Sequence, residues 1–398
     1  MLSEKSTATV RATLPAVGAA IGDITELFYS ELFAAHPELL RDLFNRGNQN
    51  AGLQKQALAG SIAAFATHLV ENPGTRPDVM LGRIAHKHAS LGVTREQYPV
   101  VHTHLFAAIV EILGEAVTPE VAEAWDEVYW LMANALVAIE ERLYAEQRVL
   151  AGDVWREWTV AARVEETVDC ATFHLTPADD APAPDFRPGQ YVSVQVELPD
   201  GARQIRQYSL SRAPGSPVRA ITVKRVHGPA AGGPDGEVSN HLHARVRTGD
   251  RLRVSAPYGD LVLRDGSAPV LLASAGIGCT PMLSMLEHLA ETGYPAPVTV
   301  VHADRSPADH ALGADHRALT HKLADASARF WYEEAAEPGD ATGLVDLTDV
   351  PVAPGTTAYL CGPLPFMRAV RGQLIAKGVP ASDIHYEVFG PDLWLASA

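Results

Sequence analysis

Two short runs hold most of the chemistry that can be read along this chain. Arg206-Gln207-Tyr208-Ser209 ends a strand-like stretch and supplies a cation, an aromatic ring and a hydroxyl, the groups a flavin and its phosphates need. Gly276-Ile277-Gly278-Cys279-Thr280-Pro281 turns a continuous apolar run, Val270–Ala275, into a helix. Gly276 and Gly278 let the backbone turn tightly and admit a ligand closely. Thr280 is expected to cap the helix, and Pro281 fits its first turn. A helix that starts at the carboxyl end of a strand is an anion site. The second run therefore reads as a phosphate cradle for a second nucleotide, and the two together as a hydride donor beside a flavin. A glycine pair alone is weak evidence. Gly-x-Gly-x-Thr-Pro between a buried strand and an apolar helix is much stronger, although an ordinary strand-to-helix turn is the bland alternative.

The elements that must hold these runs change character twice. Residues 1–148 are helical in pattern, with a boundary at Ala151-Gly152-Asp153. Residues 154–262 alternate with period two in Gln190–Leu198, Arg203–Ser211, Arg219–Val226 and Arg251–Ala256, with a turn at Pro199-Asp200-Gly201. Short strands with turn signals predict a small antiparallel β-barrel. Residues 263–398 alternate buried strands (Val270–Ala275, Val298–Val301, Ala358–Cys361) with helices (Pro281–Glu291, Leu364–Lys377), the pattern of a parallel α/β sheet. The expected domains are 1–150, 151–262 and 263–398.

Composition narrows the function classes. A net charge of −16 argues against a nucleic-acid backbone as partner. No run approaches the ~18 apolar residues of a membrane helix, and the start lacks the pattern of a signal peptide. Cys170, Cys279 and Cys361 are far apart and form no CxxC pair, which favours a reducing, cytoplasmic setting over a disulfide framework or a zinc site.

The helical part carries polar residues on apolar stripes. His88 follows Leu81, Ile84 and Ala85, and is expected to face the interior, with His86 pointing outward. Thr94-Arg95-Glu96-Gln97 has the form of a capping box, and Tyr98, Val101, Leu105, Ile109 and Ile112 line one face behind it. Glu140 continues the stripe Tyr129, Ala133, Leu136 of a helix begun by Thr118-Pro119. A carboxylate on a buried stripe is costly unless partnered. A His, a Tyr and a Glu on three helices fit a metal-binding imidazole whose second nitrogen is held by hydrogen bonds. A satisfied core histidine is the plainer alternative.

The motifs of residues 155–391 resemble the ferredoxin-NADP reductase superfamily. Arg187-Pro188-Gly189-Gln190-Tyr191, Gly236-Glu237-Val238-Ser239-Asn240, Cys361-Gly362-Pro363 and Glu387-Val388-Phe389-Gly390-Pro391 add to the two opening runs. The resemblance implies that Arg206 holds FAD phosphate and that Tyr208 and Tyr191 lie against the flavin. Ser209 is expected near its reactive nitrogen, with Gln207 in the same motif. Gly236 to Ser239 would meet the pyrophosphate. Gly276, Ile277, Gly278, Cys279, Thr280 and Pro281 would bind NADH or NADPH, with Cys361, Gly362 and Pro363 beside them. Phe389, within Glu387, Val388, Gly390 and Pro391, is expected to cover the flavin face.

Residues 1–148 resemble the globin domain of flavohemoglobins through Leu27-Phe28-Tyr29, His36-Pro37-Glu38-Leu39, Leu43-Phe44-Asn45, Ile84-Ala85-His86-Lys87-His88 and Glu96-Gln97-Tyr98. That resemblance implies heme b with His88 as its iron ligand, Tyr98 and Glu140 linked to it, and Lys87 as a nearby charge. It implies Tyr29, Gln54 and Leu58 on the oxygen side and Phe44 packed on the heme. Two departures stand out: the loop at 227–236 is longer than expected, and Cys279 replaces an amide found in some members.

The family resemblance covers nearly the whole chain. It implies a nitric oxide dioxygenase: hydride from NAD(P)H to FAD, electrons to heme, and nitric oxide oxidised by O2 to nitrate, with small molecules as partners and a monomer slightly favoured. Two other readings stay open, a flavoheme reductase of oxygen, peroxides or flavins, and a heme-based gas sensor or oxygen carrier. For the cofactor, Asp304 after the Val298–Val301 strand would repel a 2′-phosphate, while Arg305 and Ser306 could bind one.

Overall fold

The computed structural model describes residues 1–228, 233–334 and 338–390. Two compact units divide the chain: Met1–Val154 with Glu197–Ile205, and Trp155–Val196 with Arg206–Phe389.

The first unit is helical. It comprises α1 (Glu4–Ala35), α2 (Pro37–Asp42), α3 (Arg46–Asn50), α4 (Leu53–Glu71), α5 (Asp78–Leu91), α6 (Gln97–Leu113) and α7 (Pro119–Gln147). The caps are written locally. The Ser3 hydroxyl accepts from the Ser6 N–H at the start of α1, and Thr118 accepts from Val121 N–H at the start of α7. Gly92 ends α5 at φ +77, where a side chain would be strained. The Gln97 amide oxygen accepts from the Thr94 N–H at 2.9 Å, which is the returning half of the expected capping box. Behind it Tyr98, Leu105 and Ile109 are buried, but Ile112 is exposed, so the apolar stripe of α6 stops one turn early. Ile24, Phe28, Tyr29 and Leu32 of α1 pack against Leu105, Ala108 and Ile109 of α6, with Phe44, Leu58 and Ile62 around them.

The second unit holds two sheets. The strands β1 (Trp155–Glu165), β2 (Cys170–Pro177), β3 (Tyr191–Glu197), β4 (Arg203–Ser209), β5 (Arg219–Lys224) and, after helix α8 (Glu237–Arg245), β6 (Arg251–Ser255) form a six-stranded sheet ordered β4-β3-β6-β1-β2-β5. Its paired strands run antiparallel, and a bridge between Leu210 and Ile221 joins the two edges, closing the sheet as a barrel. The remaining elements are β7 (Val270–Ala275), α9 (Cys279–Thr292), β8 (Val298–Asp304), α10 (Gly313–Lys322), β9 (Ala326–Tyr332), β10 (Ala341–Thr342), β11 (Thr357–Cys361), α11 (Leu364–Ala376) and β12 (Ile384–Glu387). They build a parallel sheet ordered β10-β9-β8-β7-β11-β12. Its core is apolar on both faces of the central strands, as a sheet covered by helices requires.

α9 docks on the barrel through two side chains, Glu287 and Ser284. The Glu287 carboxylate accepts from the Ala213 N–H at 2.6 Å and lies 3.4 Å from the Arg212 guanidinium, which also meets Asp315 at 2.7 Å. The Ser284 hydroxyl donates to the Arg212 carbonyl at 2.8 Å. These bonds set the loop before α9 against the strand that ends at Ser209.

Candidate active site

The helical unit brings together the three polar residues expected on separate helices. Glu140 Oε1 accepts from the Tyr98 hydroxyl at 2.6 Å and lies 2.8 Å from His88 Nδ1. A carboxylate oxygen only accepts, so His88 Nδ1 carries the proton and its lone pair sits on Nε2. Glu140 is 2% exposed and Tyr98 is buried, whereas a third of the His88 side chain is exposed. Burial and the neighbouring Glu140 charge push the Tyr98 phenol well above its ordinary value, which keeps it a donor. Two hydroxyls that sequence reasoning missed brace this trio. Tyr129 Oη donates to the Tyr98 carbonyl and Tyr144 Oη to the Val93 carbonyl, each at 2.7 Å. An imidazole held at Nδ1 by a carboxylate, with its lone pair at Nε2, would suit an iron ligand of heme.

Tyr29 is buried on α1, and burial raises its phenol. The side chains of Gln54 on α4 and of Gln49 on α3, a residue the sequence reading did not select, lie near enough to oppose that shift. Leu58, one turn after Gln54, and Phe44 pack on the same cluster, with Phe44 edge-on to Tyr29 at 5.9 Å. Phe44 is fixed by Gln204, whose amide donates to the carbonyls of Leu40, Arg41 and Phe44. Lys87 and His86 are half-buried on α5.

In the second unit, Arg206 and Glu237 approach to 3.8 Å, so the guanidinium lies at the start of α8. A cation beside a helix N-terminus makes an anion site. Gly236 caps that helix, and a Cβ there would sit 2.8 Å from Ser239 Oγ and Val226 Cβ. The Ser239 hydroxyl is spent on the Val226 N–H and the Gly236 carbonyl, so it shapes the loop and does not reach outward. Gln207 likewise donates to Ser193 Oγ at 2.9 Å. Tyr208 is half-buried, and desolvation raises its phenol while Arg206 lowers it. Tyr191 packs over Gly259, where a Cβ would stand 3.1 Å from the ring. Ser209 Oγ is buried with no hydrogen-bond partner among the described residues. An orphaned hydroxyl at the end of that motif fits a flavin as its missing partner.

The phosphate cradle differs from expectation in two details. A 3-10 turn, Gly276–Gly278, precedes α9, so Gly278 is the cap and Thr280 falls inside the first turn, its hydroxyl donating to the Ile277 carbonyl at 3.0 Å. Only Gly276, at φ +53 with open space beside it, serves the turn and ligand approach. Gly278 serves packing: a Cβ there would stand 2.3 Å from the Cys361 carbonyl oxygen. Pro281 lies in the first turn of α9. The Cys279 side chain is fully buried, and burial raises its thiol, so that thiol neither faces a nucleotide nor is poised for oxidation. Cys361 is buried too, and Gly362 and Pro363 lead into α11, so both loops meet at the carboxyl ends of the adjacent strands β7 and β11. That is where open parallel sheets bind ligands. Glu387 ends β12, Val388 is half-buried and Phe389 is 48% exposed. Gly390 has φ +124, and Pro391 lies outside the described residues, as do 229–232 of the long loop.

Comparison with known proteins agrees with both units. Residues 26–136 match the globin family, 157–263 the oxidoreductase FAD-binding domain and 272–372 the oxidoreductase NAD-binding domain. A flavohemoprotein of Bordetella pertussis is 43% identical over 98% of this chain and 99% of its own length. One from Rhizobium meliloti is 40% identical over 99% of this chain and 100% of its own. The crystal structure of flavohemoglobin from Malassezia yamatoensis, with bound FAD and heme, superposes with a TM-score of 0.90 at 36% identity, covering 98% of this chain and all of that one. The FAD/NAD-binding domain of a nitric oxide dioxygenase from Vibrio cholerae is 35% identical, with a TM-score of 0.56, over 59% of this chain and 99% of its own. With every domain matched and the identity sustained along nearly its whole length, the chain belongs to the flavohemoproteins.

Proposed function

We propose that this chain is an NAD(P)H-dependent nitric oxide dioxygenase built as three domains, 1–150, 151–262 and 263–398. The observation that carries the reading is the Glu140 oxygen that binds both His88 Nδ1 and the Tyr98 hydroxyl. A histidine so held is an electron-rich iron ligand, suited to oxygen activation more than to storage. Heme b and FAD, when bound, supply the one-electron and oxygen chemistry. The residues do the rest. His88 offers Nε2 to iron, and Glu140 and Tyr98 fix its ring. Tyr29 and Gln54 present a hydroxyl and an amide to the oxygen side, with Leu58 and Phe44 excluding water. Arg206 and the start of α8 hold FAD phosphate, with Tyr191, Tyr208 and Ser209 at the flavin. The loop Gly276 to Pro281, with Cys361 to Pro363, receives the nicotinamide dinucleotide, and Glu387 to Phe389 close that end.

Nitric oxide and O2 need one electron to become nitrate, so one hydride supports two turnovers. Nitrate formed per NADH consumed tests the proposal. A ratio near two supports it. Superoxide or peroxide as the main product, with little nitrate, would leave the reductase reading in its place.

NADH is the proposed donor. Arg305 and Ser306, the candidates for a 2′-phosphate, are both held by Asp309, at 2.9 and 2.7 Å. Asp304 stands beside them and opposes a phosphate. We expect kcat/KM for NADH to exceed that for NADPH at least about tenfold. Equal values would count against it. The partners are thus O2, nitric oxide and NADH. No helix among the described residues is long and apolar enough to cross a membrane. The three cysteines are free and buried, in keeping with a cytoplasmic setting.

A further inference from the structure

A second set of imidazoles lies in the parallel-sheet part of the chain, unused by the nucleotide loops. His302 is on β8, His310 in the turn after it, and His316 on α10. They are 0%, 6% and 0% exposed. The rings of His302 and His310 stack at 3.8 Å. His302 Nδ1 is 2.9 Å from Ser274 Oγ of β7, and His310 Nδ1 is 2.8 Å from Tyr332 Oη of β9. Each hydroxyl oxygen can accept the ring N–H, which leaves the lone pair on Nε2. That is how metal-binding histidines are usually held, with the remote nitrogen anchored and the other presented. His310 Nε2 meets His316 Nδ1 at 2.8 Å. His302 Nε2 is 3.6 Å from Asp304 Oδ2, too long for a hydrogen bond.

His302 Nε2 is buried with no hydrogen-bond partner among the described residues. Buried polar atoms are seldom left so. One nitrogen from each ring lies within 4.8 Å of the others. The backbone is also unusual here. Leu312, between His310 and His316, has φ +58, and Arg148 is the other non-glycine residue described with positive φ. Gly313 follows it, and a Cβ there would stand 3.1 Å from the His310 ring. The nearest cation, Arg317, is tied to Asp340 at 2.8 Å.

We propose that His302, His310 and His316, with a solvent oxygen as fourth donor, form a binding site for one divalent transition cation of the zinc class. The cation replaces the His310–His316 hydrogen bond. The His316 proton moves to its other ring nitrogen, so no oxidant, reductant or leaving group is involved. Three imidazoles select zinc, copper or nickel over magnesium or calcium. The site joins β8 to α10 through the turn that carries His310. It is independent of the proposed nitric oxide chemistry, because its test reads the metal.

The full-length protein, stripped with chelator, is given one equivalent of zinc chloride and passed through gel filtration. We expect about one zinc retained per chain, and a zinc-edge X-ray absorption spectrum with three imidazole nitrogens and one oxygen at about 2.0–2.1 Å. His316→Leu is expected to lower zinc retention at least tenfold while keeping FAD and NADH-driven flavin reduction. No retained zinc, equal retention by His316→Leu, or a spectrum with fewer than three imidazoles would overturn the proposal. If His316→Leu fails to hold FAD, the wild-type spectrum decides alone.

Discussion

Two histidine clusters, one in each unit, solve the problem of a buried imidazole in opposite ways. At His88 a single ring is held by a carboxylate and a phenol. At His302, His310 and His316 three rings are sealed in, and their partners are hydroxyls and one another. A carboxylate partner makes the ring a strong electron donor toward whatever its far nitrogen binds. At the sealed rings burial outweighs the nearby Asp304 carboxylate and disfavours the charged form. The comparison teaches that the partner, more than the histidine, sets the chemistry.

The largest effect should come from removing the His88 ring. We expect His88→Ala to lower nitric oxide consumption on the order of a thousandfold, with flavin reduction by NADH unchanged. A nitric oxide electrode and stopped-flow absorbance measure the two. If both fall together, the units are not separable as described.

The sealed rings should betray themselves through pH. In the unfolded chain each histidine titrates near 6.5. Burial holds His302, His310 and His316 below that in the fold. Below about pH 6.5 the unfolded chain therefore binds protons that the fold refuses. The contribution to stability is complete above that pH and is lost as pH falls beneath it. The limiting slope is about 1.4 kcal/mol per pH unit for each ring, or about 4 for three. The thermal midpoint of the second unit, in metal-free buffer between pH 8 and 5, should fall accordingly. His316→Leu should flatten the curve, and a wild-type midpoint that does not move would show that the rings are not held neutral.

A smaller effect isolates the partner. Glu140→Gln keeps the Nδ1 hydrogen bond but removes the charge, and we expect about a 10- to 100-fold loss of dioxygenase activity. The heme reduction potential should rise in the same variant. An unchanged potential would mean that Glu140 only positions the ring, and the contrast between the clusters would lose its electrostatic basis.

Some of this was legible along the chain because local rules govern it. Gly92 and Thr118 announce helix ends, and Val270–Ala275 announces a buried strand, through propensities and periods that need no tertiary partner. Other elements hid. β1 and β9 carry little period-two burial, with Arg329 exposed in the middle of β9, because one edge of each strand meets solvent or a bulge. The Thr280 cap failed because a 3-10 turn, invisible in the pattern, moved the helix start two residues forward.

What the sequence determined by itself is which side chains are present and which face of its own element each occupies. His88, Tyr98 and Glu140 lie on readable stripes, and Arg206 to Ser209 form one contiguous motif. Only the tertiary structure decided who meets whom. Gln49 beside Tyr29, Gln204 beneath Phe44, Gly278 against the Cys361 carbonyl, and His302 with His310 and His316 are all meetings across elements. The physical reason is range. Helix and strand periods act over a few residues, while these contacts depend on how separate elements pack, which no local pattern encodes.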